Sequence, residues 1–146
     1  MPNVSTTAHG HVISSEALYP VIMANKEHKG AQFTVKSRVT GKDYTFKISR
    51  SQFNERWYTH IKVEVRYQEW KRLGTFIDGT VRLKGSAVDS PSALAIGYIL
   101  RQVSARNFAE LDAKVEMMHV GKCVMCGKAL TDAESIRIGL GPVCRG

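Results

Sequence analysis

From Gln32 the chain alternates: Phe33, Val35 and Ser37 share one phase, while Thr34, Lys36 and Arg38 share the other. A period of two is that of a strand with one buried and one wet face. Thr40-Gly41-Lys42-Asp43 supplies turn residues, and Tyr44, Phe46 and Ile48 then resume the apolar phase, so a hairpin is expected. Ile61, Val63, Val65 and Tyr67 alternate with Lys62, Glu64 and Arg66 as a third strand. Leu73 to Ile77 and Thr80 to Leu83, joined at Asp78-Gly79, give a fourth and a fifth. Residues 31–86 thus read as an antiparallel meander.

The period changes after Ser90-Pro91, where Ser is a natural N-cap and Pro suits the first helical position. Leu94, Ile96, Ile99, Leu100 and Val103 form a helical stripe running to about Asn107. Phe108, Leu111, Val115 and Met118 repeat that spacing and predict a second helix over Phe108 to Met118. Both stripes are core-forming rather than a binding groove. Residues 87–118 are the helical segment. Residues 1–30 are rich in Ser, Thr, Asn and His and read as a flexible N-terminal arm, with a helix start near Ser14 to Tyr19 limited by Pro20. His9-Gly-His11, alone in such an arm, reads as a polar tail. The expected class is α+β: a small antiparallel β-meander, two helices and a C-terminal module over 119–146.

Composition fits a folded chain: 146 residues, 43% hydrophobic and 23% charged. No run approaches the roughly 18 apolar residues of a membrane span, and no signal-peptide pattern opens the chain, so a cytoplasmic location is expected. The formal charge of +8 changes the picture more, because it is concentrated. Residues 26–86 carry fourteen Lys or Arg against six Asp or Glu, whereas residues 87–146 carry seven against six. Lys36, Arg38, Lys47, Lys62, Arg66, Arg82 and Lys84 all fall in the polar phase of the meander. A twisted sheet would gather them into a basic stripe suited to phosphates. The expected partner is nucleic acid or an acidic protein, with neither a membrane nor a small-molecule substrate. Trp57, Tyr58 and Trp70 lie near strand ends, where rings can stack on single-stranded bases, although such residues more often fill a core or rim.

The candidate chemistry lies at the C-terminal end. Three cysteines, an odd number, all follow position 122 and therefore read as metal ligands rather than as a disulfide framework. Cys123-Val-Met-Cys126-Gly127 is a zinc-knuckle spacing, with Gly127 taking the positive backbone angle that follows the second thiolate. Thr131 with Glu134 fits a capping box for a short helix, Gly139 ends it, and Gly141-Pro142 turns Cys144 back toward the knuckle. Leu130, Ile136 and Leu140 are placed to form a small core beneath. Zinc takes four sulfur or nitrogen ligands, so three cysteines need one more, and His119 is the histidine placed to close a structural Cys3His shell.

The run His119-x-Gly121-x-Cys123-x-x-Cys126-Gly127-x-x-Leu130-Thr131-x-x-x-Ser135-x-x-x-Gly139-x-Gly141-Pro142-x-Cys144 is similar to the C-terminal motif of a family of uncharacterised proteins, a domain of unknown function common in bacteriophages. The likeness extends more loosely upstream through Thr45-Phe46-Lys47, Leu73-Gly74-Thr75 and Ala93 to Leu100. Ala133 departs from the pattern, since many relatives have proline there. The resemblance implies a phage origin, the infected host's cytoplasm and a zinc site on the four residues named. It implies no activity. Outside the cluster there is no GxSxG, HExxH, Walker loop or close carboxylate pair, so the function expected is non-enzymatic. Two readings follow: a zinc-stabilised phage accessory protein that binds nucleic acid, or an effector that binds and inhibits a host nuclease, polymerase or defence component.

Overall fold

A computed structural model describes residues 6–7, 10–77, 80–83 and 90–145. The turn expected at Asp78-Gly79, and with it Lys84 and His9, lies outside the described residues.

The meander is present and longer than its alternation suggests. Strands β3 (Gln32–Ser37), β4 (Asp43–Phe53), β5 (Arg56–Arg66), β6 (Glu69–Ile77) and β7 (Thr80–Leu83) pair consecutively and antiparallel. β4 and β5 run on for eleven residues each. They join through Asn54 and Glu55, both at positive φ (51° and 64°), the backbone of a two-residue turn matched to strand twist. Most of the apolar phase is buried: Phe33, Val35, Phe46, Ile48, Ile61 and Val63 all face one core, whereas Val65 at the end of β5 and Tyr67 just beyond it are exposed.

Helix α2 (Pro91–Ser104) begins as expected, with the Ser90 hydroxyl accepting from the Ala93 N–H at 3.3 Å. Ile96, Ile99, Leu100 and Val103 are buried, but Leu94 points to solvent. The second helix is shorter than its stripe suggests. α3 (Phe108–Lys114) ends after seven residues, and Val115–His119 is instead strand β8, paired with β3 through Phe33↔His119, Thr34↔Met118 and Val35↔Met117. Val115 and Met118 fit a helical stripe, but the sheet offers β8 two open edges to pair with, and tertiary context outweighs local periodicity.

The expected arm also gives way to structure. Strand β2 (Gly10–Ile13) lies on the other side of β8, and the two-residue β1 (Thr6–Thr7) pairs outside it. A 3-10 turn at Ser15–Ala17 then leads into α1 (Leu18–Met23), whose Leu18, Val21 and Ile22 are fully buried against the sheet. Asp112 fixes this entry by accepting from the Ser14 hydroxyl and the Ser15 N–H, both at 2.8 Å. Ser-rich composition masked three large apolar residues at helical spacing. The eight-stranded order is β1-β2-β8-β3-β4-β5-β6-β7, with the helices on the core face. On the opposite face Thr34 and Met118, paired across β3 and β8, are buried as well.

Candidate metal centre

The chain leaves β8 and enters the knuckle directly. Val124 and Met125, between the first two cysteines, are buried in the main core. Their carbonyls accept from the N–H groups of Ala31 and Gly30, so the knuckle is stitched to the start of β3. Within it, the Gly127 N–H donates to the Cys123 carbonyl at 2.8 Å, and the Cys126 N–H points at the Cys123 sulfur at 3.5 Å. Gly127 holds φ at 78°, a conformation that a side chain resists.

The return leg is helix α4 (Ala133–Ile138). Its N-cap is Asp132, whose carboxylate accepts from the Ser135 N–H at 3.0 Å, rather than the expected Thr131. The Ser135 hydroxyl, and then this N–H, hold the Asp132 carboxyl below the usual range. Gly139 ends the helix at φ 88°, and a Cβ there would sit 2.7 Å from Ile13 Cδ1. Leu140 is buried, with Leu130 and Ile138 packed beside it, whereas Ile136 contributes mainly its carbonyl. Arg145 donates to the Ser135 hydroxyl (3.1 Å) and the Leu140 carbonyl (3.3 Å), which fixes the chain next to Cys144.

The three sulfurs of Cys123, Cys126 and Cys144 all lie within 4.8 Å of one another. A tetrahedral ion with metal–sulfur bonds of about 2.3 Å separates its sulfurs by roughly 3.8 Å, so the cluster needs little contraction to hold one. Burial pushes the Cys123 thiol up, but N–H donors from Cys126, Gly141 and Met125 outweigh it and leave the thiol below its ordinary value. Cys144 is pushed up to about 12 by burial, by thiol hydrogen bonds and by the two neighbouring thiolates. Without a cation the trio therefore resists full ionisation, whereas a bound divalent metal removes that repulsion. The donor set fits a soft or borderline metal ion.

His119 does not join the cluster. It is fully buried on β8, and both ring nitrogens are engaged. Nε2 lies 2.7 Å from the Ile136 carbonyl, which can only accept, so Nε2 carries the proton. Nδ1 in turn accepts from the Gly121 N–H at 2.9 Å. Burial holds the imidazole below its usual pKa. His119 thus ties α4 to the knuckle as a neutral strut in this structure, apart from the cysteine trio rather than closing a Cys3His shell around it. Spacing places a histidine near a cluster but says nothing of where its ring points. His11 packs on this ring, with centroids 5.2 Å apart.

The basic residues divide into two groups. Lys47 and Lys62 stand directly opposite each other on β4 and β5, and Lys62 stands opposite Arg72 on β6. Gln32 extends this row onto β3, and Arg82 faces Thr75 one row along. Lys36 instead sits between Asp43 and Glu116 on its two neighbours. Arg38 is held by the Asp112 carbonyl at 2.9 Å and by Glu116 at 3.3 Å, and Arg66 pairs with Glu69 at 3.3 Å. Arg72, outside the expected set, belongs to the row because a bulge in the β5–β6 pairing shifts the register. Alternation alone cannot reveal such a shift.

A family model for DUF6011, a family of unknown function, matches residues 114–146. The match spans β8, the knuckle, α4 and Cys144. No curated protein and no solved structure matches the chain. Among the described residues, no helix is long and apolar enough to cross a membrane.

Proposed function

We propose that this is a non-enzymatic, zinc-stabilised protein that binds nucleic acid through the basic row on the sheet face opposite its core. The reading rests on the Lys47–Lys62–Arg72 row. Like charges directly opposite on neighbouring strands destabilise a sheet. Among the described residues, no carboxylate forms an ion pair with any of the three. A polyanion laid across β4, β5 and β6 relieves that repulsion and releases its own counterions. Zinc, on Cys123, Cys126 and Cys144, holds the C-terminal segment against the same sheet. The bacteriophage setting implied by the tail motif puts this activity in an infected host's cytoplasm.

The test is retention on DNA or RNA as salt is varied. Lys47→Gln, Lys62→Gln and Arg72→Gln together should lower the slope of log affinity against log salt by about two to three, at unchanged zinc content. If the parent is not retained even at about 50 mM salt, where such contacts are strong, the acidic host-protein reading replaces this one.

A further inference from the structure

A cavity of about 340 Å3 opens on the sheet face between the basic row and the knuckle. Gln32, Lys47, Gln68, Trp70, Lys122 and Gly127 contribute to its wall, and no acidic residue does. Its size lies in the lower part of the usual range for small-molecule sites, about 300–1,000 Å3. The Lys47 ammonium lies over the Trp70 ring, 5.2 Å from its centroid. Trp70 therefore lines the cavity with a cation held over its ring, which an incoming base would displace toward its own phosphate. Two glutamine amides, each able to donate and accept, stand beside it. Lys122 brings a second cation from the knuckle side. Tyr67, in the β5–β6 turn, is 87% exposed and accepts from the Gln68 amide at 3.2 Å, which places a further ring at the rim.

We infer that this cavity takes one nucleotide of a single-stranded nucleic acid, its base stacked on Trp70 and its phosphate between Lys47 and Lys122. The inference rests on the nucleic-acid reading above and narrows it. A duplex can lie along the basic row but cannot place a base on Trp70, because its bases are stacked inside. Single strands combine backbone cations with aromatic platforms. The two glutamines face the base edge, and the knuckle forms the far wall, which accounts for a metal site fused to one end of a basic sheet.

The experiment uses the full chain with zinc bound and a fluorescein-labelled single-stranded oligonucleotide, with binding followed by anisotropy. Trp70 is observed separately in a Trp57→Phe variant, where it is the one remaining tryptophan of two. Binding of the single strand should quench Trp70 emission, while duplex of the same sequence binds without quenching. Trp70→Ala should weaken single-strand binding about tenfold or more and leave duplex binding within about twofold. Trp70→Phe should recover most of the loss, since a ring remains. If anisotropy reports single-strand binding while Trp70 emission is unchanged, the inference fails but the basic-row reading stands. If neither form binds at low salt, both fail. Should Trp70→Ala misfold, the quenching measurement still decides the question.

Discussion

At the scale of single residues, the sharpest contrast lies between His119 and the three cysteines. His119→Ala removes a buried ring and two hydrogen bonds and should cost about 2–4 kcal/mol of stability. It should nevertheless leave one zinc per chain, whereas Cys126→Ser should release the metal. Elemental analysis beside thermal melts separates the two, and loss of zinc from His119→Ala would restore it as a ligand. His60 carries a second prediction. Its Nδ1 accepts from Arg72 at 3.3 Å, so Nε2 carries the proton toward the Ser51 hydroxyl at 2.7 Å. Burial, then Arg72 and Lys62, hold this imidazole below its ordinary pKa. A phosphate bound on that row offsets the two cations and raises the pKa, so binding takes up a proton. Affinity for a polyanion should therefore rise as pH falls from about 7.5 to 6, through the His region. His60→Gln should flatten that dependence, and an unchanged pH profile in the variant would assign the uptake elsewhere.

At the scale of elements, the turn between β4 and β5 makes its own prediction. Asn54 and Glu55 both adopt positive φ, and a non-glycine residue there costs roughly 1 kcal/mol. Glu55→Gly should therefore stabilise the protein by about 0.5 kcal/mol, once the freer unfolded chain is allowed for. A lower denaturation midpoint in the variant would mean that Glu55 makes a compensating contact. This turn also shows what the sequence leaves unsaid. Asn-Glu carries no glycine, so alternation finds the core of each long strand but not the point where they meet. The meander, the start of α2 and the α+β class are legible because each rests on a local period or cap. β8 is not, because Val115-Glu-Met-Met-His takes its conformation from strands far away in the chain, such as Ser37 paired with Val115 and Ile13 with Met117. α1 is hidden for a related reason, since its three apolar residues gain order only when Asp112 and the sheet fix them. Likewise, the cysteine trio is readable from spacing, whereas the orientation of His119 depends on α4 folding back to offer the Ile136 carbonyl.

At the scale of the whole molecule, the metal segment is continuous with the core rather than appended to it. The residues between Cys123 and Cys126 are core residues, and their carbonyls pair with Gly30 and Ala31 at the head of β3. β8, which leads into the knuckle, lies between β2 and β3 inside the sheet. A perturbation at the cysteines therefore has a direct route to the sheet through backbone hydrogen bonds and through Val124 and Met125. An independent module would melt separately and leave the sheet's transition where it was. Here the expected result is a single transition, seen alike by far-UV circular dichroism and by tryptophan emission, both with zinc and after chelation. On the proposed zinc site, an ion at a thousandfold excess over its dissociation constant that binds the folded chain in preference to the unfolded one contributes up to about 4 kcal/mol. With each kcal/mol worth about 3 °C in a chain of this size, chelation should lower the whole transition by roughly 10 °C. A chelated protein whose sheet melts at the parent temperature, while a smaller C-terminal signal melts earlier, would overturn the argument. In that case Val124 and Met125 would contribute burial without coupling.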